Sequence, residues 1–391
     1  MMRVLYVSSV YKPAYVYGGP ARSVPLLCEA LAGAGAGVEV LTTDANRRRR
    51  LDVPLATPID VDGVPVTYFP VVSERYFYAP SLLDALRRRI HQFDVAELDT
   101  LFSALHEPAA AICRKAGVPY VAPPRGQLMP AALLEKRWKK RIYLKLAGLR
   151  TLNAAAGIHC ADPMEAEALP QAGVTAPAFV VPNGLDFPAS SPAPSGRAVR
   201  ERMAIPESAP LMLSAGRFHR VKRLEVAIAA LASVPRAHLL LVGPDEENLA
   251  ASFRAQAASL GCSARLHILP LQSARALRRI HAAADLFLMP SASESFGMAA
   301  AEAMAAGLPV LVSHHVPVGR WAQASQAGWV VSNDPRQFAE AARALLSLPD
   351  GELRAMGVRA RRCARARFDR SAVATLYLER VAALCARRPS I

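Results

Sequence analysis

Residues 287–313, "FLMPSASESFGMAAAEAMAAGLPVLVS", pass from a short apolar run through a polar turn into an alanine-rich stretch, and end in a second apolar run. Pro290 closes the first run, and Gly307 stops the alanine-rich segment as a left-handed helix cap would. The spacing predicts strand, loop, helix and strand, the unit of a parallel sheet with crossover helices. In such sheets ligands bind beyond the carboxyl ends of the strands, where loops enter helix N-termini. That places Glu294, Ser295, Phe296 and Gly297 at a ligand-facing loop, and Glu302 about four residues inside the helix, among alanines that leave room beside its carboxylate.

The same alternation extends in both directions. Upstream come "RVLYVSS", a helix near 20–32, "VEVLTT", "PYVAPP", "GIHCA" and "AFVVPN". A Pro- and Ser-rich interruption, "DFPASSPAPSGR", is the best linker in the chain. Beyond it the pattern restarts with "LMLSAGR", "HLLLVGP", "LHILP", "LFLMPS", "PVLVS" and "GWVVS". The predicted fold class is therefore α/β, with two doubly wound Rossmann-like domains facing across a cleft. The first spans 1–187, the linker 188–197 and the second 198–370, while 371–391 form a C-terminal helix packing back on the first domain. A chain of 391 residues is too long for one ordinary core, which agrees with two domains.

The composition is that of a soluble globular protein, without the bias of a disordered chain. Arg236, His238, Glu294 and Glu302 interrupt the longest apolar candidates, so no membrane span is expected. The start, "MMRVLYVSSV", reads as a buried strand and not as a signal peptide, which predicts a cytoplasmic protein. The six cysteines, Cys28, Cys113, Cys160, Cys262, Cys363 and Cys385, include no Cys-x-x-Cys pair and suggest reduced, mostly buried thiols. A net charge of +15 admits nucleic acid, an anionic membrane face or anionic small molecules. No basic and aromatic nucleic-acid motif accompanies it, so nucleic acid is not expected as a partner.

The loops after the strands hold the candidate site. Gly18 and Gly19 permit close backbone approach to a ligand, and Pro20 suits the first turn of a helix, although Pro25 predicts irregularity further on. Gly33, Gly35 and Gly37 mimic a dinucleotide fingerprint but follow a helix and precede a strand, the reverse of what phosphate binding needs. Asp60 and Asp62 mimic a metal-binding pair, yet Asp62-Gly63 between alternating apolar residues reads as a hairpin turn. After "LMLSAG", Arg217 offers a planar fork to phosphate oxygens and Lys222 a second cation at the next helix start.

With these residues assembled, the chain resembles a retaining nucleotide-sugar glycosyltransferase of family 4, GT-B type. The resemblance is carried by the Glu-x7-Glu pattern from Glu294 to Glu302, by "GRFHRVKRLEVAIAAL", "LLLVGPDEE" and "VPNGLD", and by the Gly18-Gly19 loop, in family order over most of the chain. It implies transfer of a sugar from a nucleoside-diphosphate sugar to a glycan or a polyprenyl- or other lipid-linked acceptor, in cell-surface polysaccharide or glycolipid synthesis. Arg217 and Lys222 would neutralise the diphosphate, Glu302 would bind the ribose and Glu294 would lie near the transferred sugar. Ser295, Phe296 and Gly297 would supply backbone contacts, Gly18, Gly19, Arg125 and Asn183 would touch substrate, and neither metal nor cofactor would be needed.

One departure stands out: the family's usual histidines after the position of Asp94 are replaced by Glu97 and Asp99, leaving Asp99 or His106 to take their place. A nucleotide-sugar-binding subunit with weakened catalysis, or a GT-B epimerase, remains the alternative reading. The segment "APPRGQLMPAALLEKRWKKRIYLKL" resembles one in members that build bacterial surface polysaccharides. Leu134, Trp138, Ile142, Leu146 and Leu149 fall on one helical stripe, which predicts that Trp138 is core. Lys136, Arg137, Lys139, Lys140, Arg141 and Lys145 form a basic patch suited to peripheral contact with an anionic membrane at its inner face.

Overall fold

The computed structural model describes residues 1–47, 49–134, 137–187 and 195–386. It divides into two compact units, one of Met1–Asp186 with Phe368–Ile391 and one of Phe187–Arg367. The expected linker falls largely on 188–194, and Lys136 of the basic patch is at 136; both lie outside the described residues.

The first unit is built on β1 (Arg3–Ser8), which is buried at every position after Arg3. Its side chains alternate between two cores, as the twofold period of a strand requires. Leu5 and Val7 join one apolar cluster, and Val4 and Tyr6 join the other. Helix α1 (Pro20–Gly33) follows and continues unbroken through Pro25, in contrast to the irregularity expected there. Strand β2 (Gly37–Thr43) pairs parallel with β1. Strands β3 (Pro58–Val61) and β4 (Val64–Phe69) form the antiparallel hairpin read from Asp62-Gly63. Both turn residues take positive φ, 53° and 82°, as a tight hairpin turn demands.

Helix α2 (Pro80–Arg89), strand β5 (Val95–Asp99), helix α3 (His106–Lys115) and strand β6 (Tyr120–Val121) complete a six-stranded sheet of order β3-β4-β2-β1-β5-β6. Helix α4 (Arg137–Tyr143) runs through a π turn at Leu144–Gly148 into α5 (Leu149–Asn153). Strand β7 (Ile158–Cys160), helix α6 (Pro163–Ala168) and strand β8 (Ala178–Val180) follow, with β7 and β8 parallel.

The second unit has strands β9 (Leu211–Ala215), β10 (His238–Val242), β11 (Leu266–Leu269), β12 (Leu286–Met289), β13 (Val310–Ser313) and β14 (Gly328–Val331). All pairings are parallel, in the order β11-β10-β9-β12-β13-β14. Strands β9, β12 and β13 are buried at every residue, which is why they read as unbroken apolar runs. Crossovers include α7 (Leu224–Ser233) and α8 (Met298–Ala306), and α9 (Pro335–Leu346) follows the last strand and packs on α7. Gly307 caps α8 at φ 89°, as the sequence predicted.

The chain then returns to the first unit as α10 (Arg370–Ala386), whose Val373, Tyr377 and Val381 pack with Val4, Tyr6 and α1 residues. The exposed stripe on α4 reverses an expectation. Trp138 is 65% exposed, and Leu134, Ile142 and Leu146 are also largely in solvent, so this stripe is not core. The inward face is instead formed by Leu144, Leu152 and the partly buried Leu133, Tyr143 and Leu149.

Candidate functional site

Strand order changes direction at β9, whose neighbours β10 and β12 are reached by connections running opposite ways. Such a switch point leaves a crevice at the carboxyl ends of the central strands. Gly216 closes β9 there, and Gly243 closes β10. A Cβ on Gly243 would stand 1.8 Å from the carbonyl oxygen of Gly216, so the two loops lie backbone against backbone and only glycine fits. Phe218 N–H donates to Pro244 O at 2.8 Å and holds Arg217 at this edge.

Lys222 is fixed by a short helical turn, Arg220–Lys222, whose N-cap His219 accepts the Val221 N–H through Nδ1 at 3.2 Å. The Ala292 N–H donates to Val221 O at 2.8 Å, tying the loop after β12 to the same turn. The result is a small pocket lined by Gly216, Arg217, Lys222, Met289 and Ser291, among others. Lys222 Nζ donates to Glu294, whose Oε1 also accepts from Ser291 Oγ at 2.8 Å. Arg217 Nη1 donates to Glu246 Oε2 at 2.8 Å.

Gly297 begins α8 at φ 97°, where a Cβ would meet Val316 Cγ1 at 2.6 Å. The buried Phe296 accepts the Val318 N–H at 3.0 Å, which sets the direction of the helix start. Ser295 is partly buried beside it, and Glu302 is half-buried on the second turn of α8. Thus Arg217 and Lys222 line one pocket and Glu294 is bonded to two of its lining residues, Lys222 and Ser291, with Ser295, Phe296, Gly297 and Glu302 following on the same loop and helix. Glu246, the partner of Arg217, went unrecognised in "GPDEEN"; its place just after a strand was the available signal.

The first unit gathers Asp99, Arg125 and Asn183. Arg125, at φ 49°, donates from Nε to Asp99 Oδ1 at 3.4 Å, from Nη1 to Asn183 Oδ1 at 3.3 Å and from Nη2 to Glu97 Oε1 at 3.4 Å. Glu97 is fully buried and is the hub. Its Oε2 accepts from Tyr6 Oη at 3.2 Å and from Tyr377 Oη, and its Oε1 faces His159 Nδ1 at 3.2 Å. His159 Nε2 lies 3.0 Å from Val181 O, which can only accept, so Nε2 carries a proton.

Burial alone would raise the Glu97 pKa, but His159, Arg125 and Tyr377 outweigh it and hold the carboxyl below its ordinary value. At Asp99 burial prevails over Arg125, and its carboxyl is raised. Asp99 ends β5 while Glu97 points inward from the strand, so the two replacements have different fates. His106 is fully buried with Nδ1 3.3 Å from Thr100 Oγ1, and burial lowers its pKa to about 4; it is a core residue and not a stand-in for a site histidine. Gly18, at φ 78°, closes the turn Tyr15–Tyr17, and Gly19 caps the start of α1. His159, Tyr6 and Tyr377 escaped sequence reading because each sits in an apolar element without a motif.

Residues 18–184 match the glycosyl transferase 4-like domain, and residues 197–362 match glycosyl transferases group 1. A D-inositol 3-phosphate glycosyltransferase of Xylanimonas cellulosilytica is 33% identical over 220 residues, covering 54% of this chain and 52% of that protein. The chain spans about half the length of this relative and less of the Nocardia farcinica one, at 42%. Sucrose-phosphate synthase from Thermosynechococcus elongatus superposes with a TM-score of 0.76 at 20% identity, over 99% of this chain and all of that one. Anabaena HepE in complex with UDP-glucose gives a TM-score of 0.77 at 20% identity, over 98% of this chain and all of that one.

Proposed function

Because the chain belongs to the glycosyltransferases of GT-B fold that join a 4-like first domain to a group 1 second domain, we propose that it moves a sugar, with retention, from a nucleoside-diphosphate sugar to a glycan or lipid-linked acceptor. The observation that carries this reading is the pairing of Lys222 with Glu294 beside Arg217, at the switch point and next to the N-terminus of α8. Two cations and the positive end of a helix suit a diphosphate, and each charge-assisted bond contributes about 1.5–3 kcal/mol.

In this reading Lys222 and Arg217 exchange their carboxylate partners, wholly or in part, for phosphate oxygens. Glu294, released from Lys222, turns to hydroxyls of the transferred sugar, and Glu302 takes the ribose diol. The departing diphosphate is neutralised by Arg217, Lys222 and the helix start, so the reading uses no bound metal. Retention follows if the acceptor attacks from the face the leaving group departs, with a diphosphate oxygen taking the acceptor proton. Asp99 is the candidate acid of the first unit, and Arg125, itself bonded to Asn183, holds it in place. A role in cell-surface polysaccharide or glycolipid synthesis belongs to the same proposal.

UDP-glucose, the ligand of the Anabaena protein, is the first donor to try, and D-inositol 3-phosphate, named in the curated relatives, is an acceptor to set against glycans and polyprenyl phosphates. Calorimetry on Glu302→Ala and Lys222→Ala is expected to lose about tenfold or more in nucleoside-diphosphate affinity. Asp99→Ala is expected to bind nucleotide normally and transfer more slowly. Unchanged affinity in both nucleotide-site variants would remove the proposed donor site.

One observation favours a second reading, a donor-binding protein without transfer: the Asp99 side chain keeps only 8% of its surface and is engaged by Arg125. Donor binding without turnover across a panel of donors and acceptors would select it.

A further inference from the structure

The helix running from Arg137 through the π turn to Asn153 has two apolar faces, and only one is covered. Leu144, Gly148 and Leu152 are buried, while Trp138 and Leu146 are 65% and 76% exposed, with Leu134 and Ile142 more than half exposed as well. Along this helix Trp138, Ile142 and Leu146 recur every four residues. In an α-helix each such step overshoots a full turn by about 40°, so a stripe of this spacing drifts around the axis. The wider π turn at Leu144–Gly148 opposes that drift and brings Leu146 back toward Ile142.

A solvated helix face has no use for a tryptophan and two large aliphatic residues in a row. The charge beside them limits what can cover them. Between residues 136 and 150 the sequence holds Lys136, Arg137, Lys139, Lys140, Arg141, Lys145 and Arg150, and no acid. Arg137, Lys139, Arg141, Lys145 and Arg150 are exposed, and among the described residues none of them has a recorded ion pair. Lys139 Nζ sits 5.1 Å from the centre of the Trp138 ring, so cation and aromatic side chain occupy the same edge.

We infer that this face docks on an anionic lipid bilayer. The stripe enters the boundary between headgroups and acyl chains, Trp138 sits at that boundary, and the flanking cations meet lipid phosphates. No helix among the described residues is long and apolar enough to cross a membrane, so the contact is peripheral. A second copy of the chain is a poor occupant, because a twofold contact would set this cationic fringe against itself. Nucleic acid would satisfy the cations and leave the aliphatic row uncovered. The inference stands on this surface alone and not on the transfer reaction.

Flotation of the full chain with vesicles, in the absence of any sugar donor, tests it apart from the transfer reading. The protein is expected to float with vesicles of mixed phosphatidylcholine and phosphatidylglycerol, to remain behind with phosphatidylcholine alone, and to be released by salt. Lys139→Glu with Lys145→Glu is expected to lower partitioning at least about 25-fold, at roughly fivefold for each basic residue lost. Trp138→Ser with Leu146→Ser is expected to lower it at least about tenfold. Both pairs lie on the exposed face and are expected to melt like the parent; if the apolar pair does not fold, the charge and salt arms still decide. Failure to float with the anionic vesicles, equal flotation with neutral ones, or unaltered flotation of both variants would overturn the inference. So would lipid-free self-association that the Trp138 and Leu146 changes abolish.

Discussion

At the end of β5, Glu97 and Asp99 keep 0% and 8% of their side-chain surface, and Arg125 keeps 7%. At the end of β9, Arg217 keeps 36%, and Lys222 keeps 19% beside its partner Glu294. Both units are built on sheets whose central strands are parallel, with charges at the strand ends, yet one set is sealed among tyrosines and a histidine while the other lines a pocket. Burial decides what a charge is for. A sealed pair has already lost its water and must be matched within the protein, whereas a pair at a pocket can trade its partner for a ligand. The first cluster therefore supports the fold and positions Asp99, and the second is free to bind.

The sharpest way to break this contrast is to remove the hub on one side and a cation on the other. Glu97→Ala leaves Arg125 and His159 buried without their shared carboxylate, and is expected to cost about 3–5 kcal/mol in chemical denaturation. Lys222→Ala leaves Glu294, 12% exposed, with Ser291 Oγ still donating to it, and is expected to cost about 1–2 kcal/mol. Equal losses would mean that the two clusters do not differ as their burial says.

The next largest effect is a dependence on pH that both units share. His106 in the first unit and His281 in the second are each more than nine-tenths buried, and burial lowers both pKa values from 6.5 to about 4. The unfolded chain takes up a proton on each near pH 6.5, while the folded chain refuses it until about pH 4. Stability is therefore expected to fall as pH drops from about 6.5 to 4, by up to about 3 kcal/mol per histidine, and to level off on this account below that. Glu97, with its lowered pKa, adds a loss as pH falls through the carboxylate range, while Asp99 and Glu165, raised by burial, oppose it. Denaturation of His281→Leu across this range is expected to show a flatter slope; an unchanged slope would exclude that histidine as a source.

The sheets and their ligand-facing ends were legible because each strand is short, apolar and followed by a loop, so "LMLSAGR" and "LFLMPS" reveal both a buried strand and what lies at its mouth. Glu97 was visible only as a substitution. Its partners Arg125, His159 and Tyr377 are 28, 62 and 280 residues away, beyond the reach of local periodicity. The α4 stripe failed for another reason. Its helix carries apolar residues on two faces, and periodicity reports that a face exists without saying which neighbour covers it. The π turn further shifts which residues align, a deviation no regular period contains.

Tyr377 offers the finest test of the sealed cluster. It lies in α10, which returns to the first unit after the chain has built the second, and its hydroxyl donates to Glu97. Tyr377→Phe keeps the ring, with its edge contact to His159 at 5.4 Å between centroids, and removes only the donor. Because Tyr6, Arg125 and His159 still surround the carboxylate, the expected cost is about 1.5 kcal/mol, at the low end for a bond to a charged group. The lost donor also raises the Glu97 pKa, so more of the cost appears as pH rises above the carboxylate range and less when Glu97 is protonated. A loss independent of pH would assign the effect to packing of α10, and would leave the hydroxyl no part in holding the buried charge.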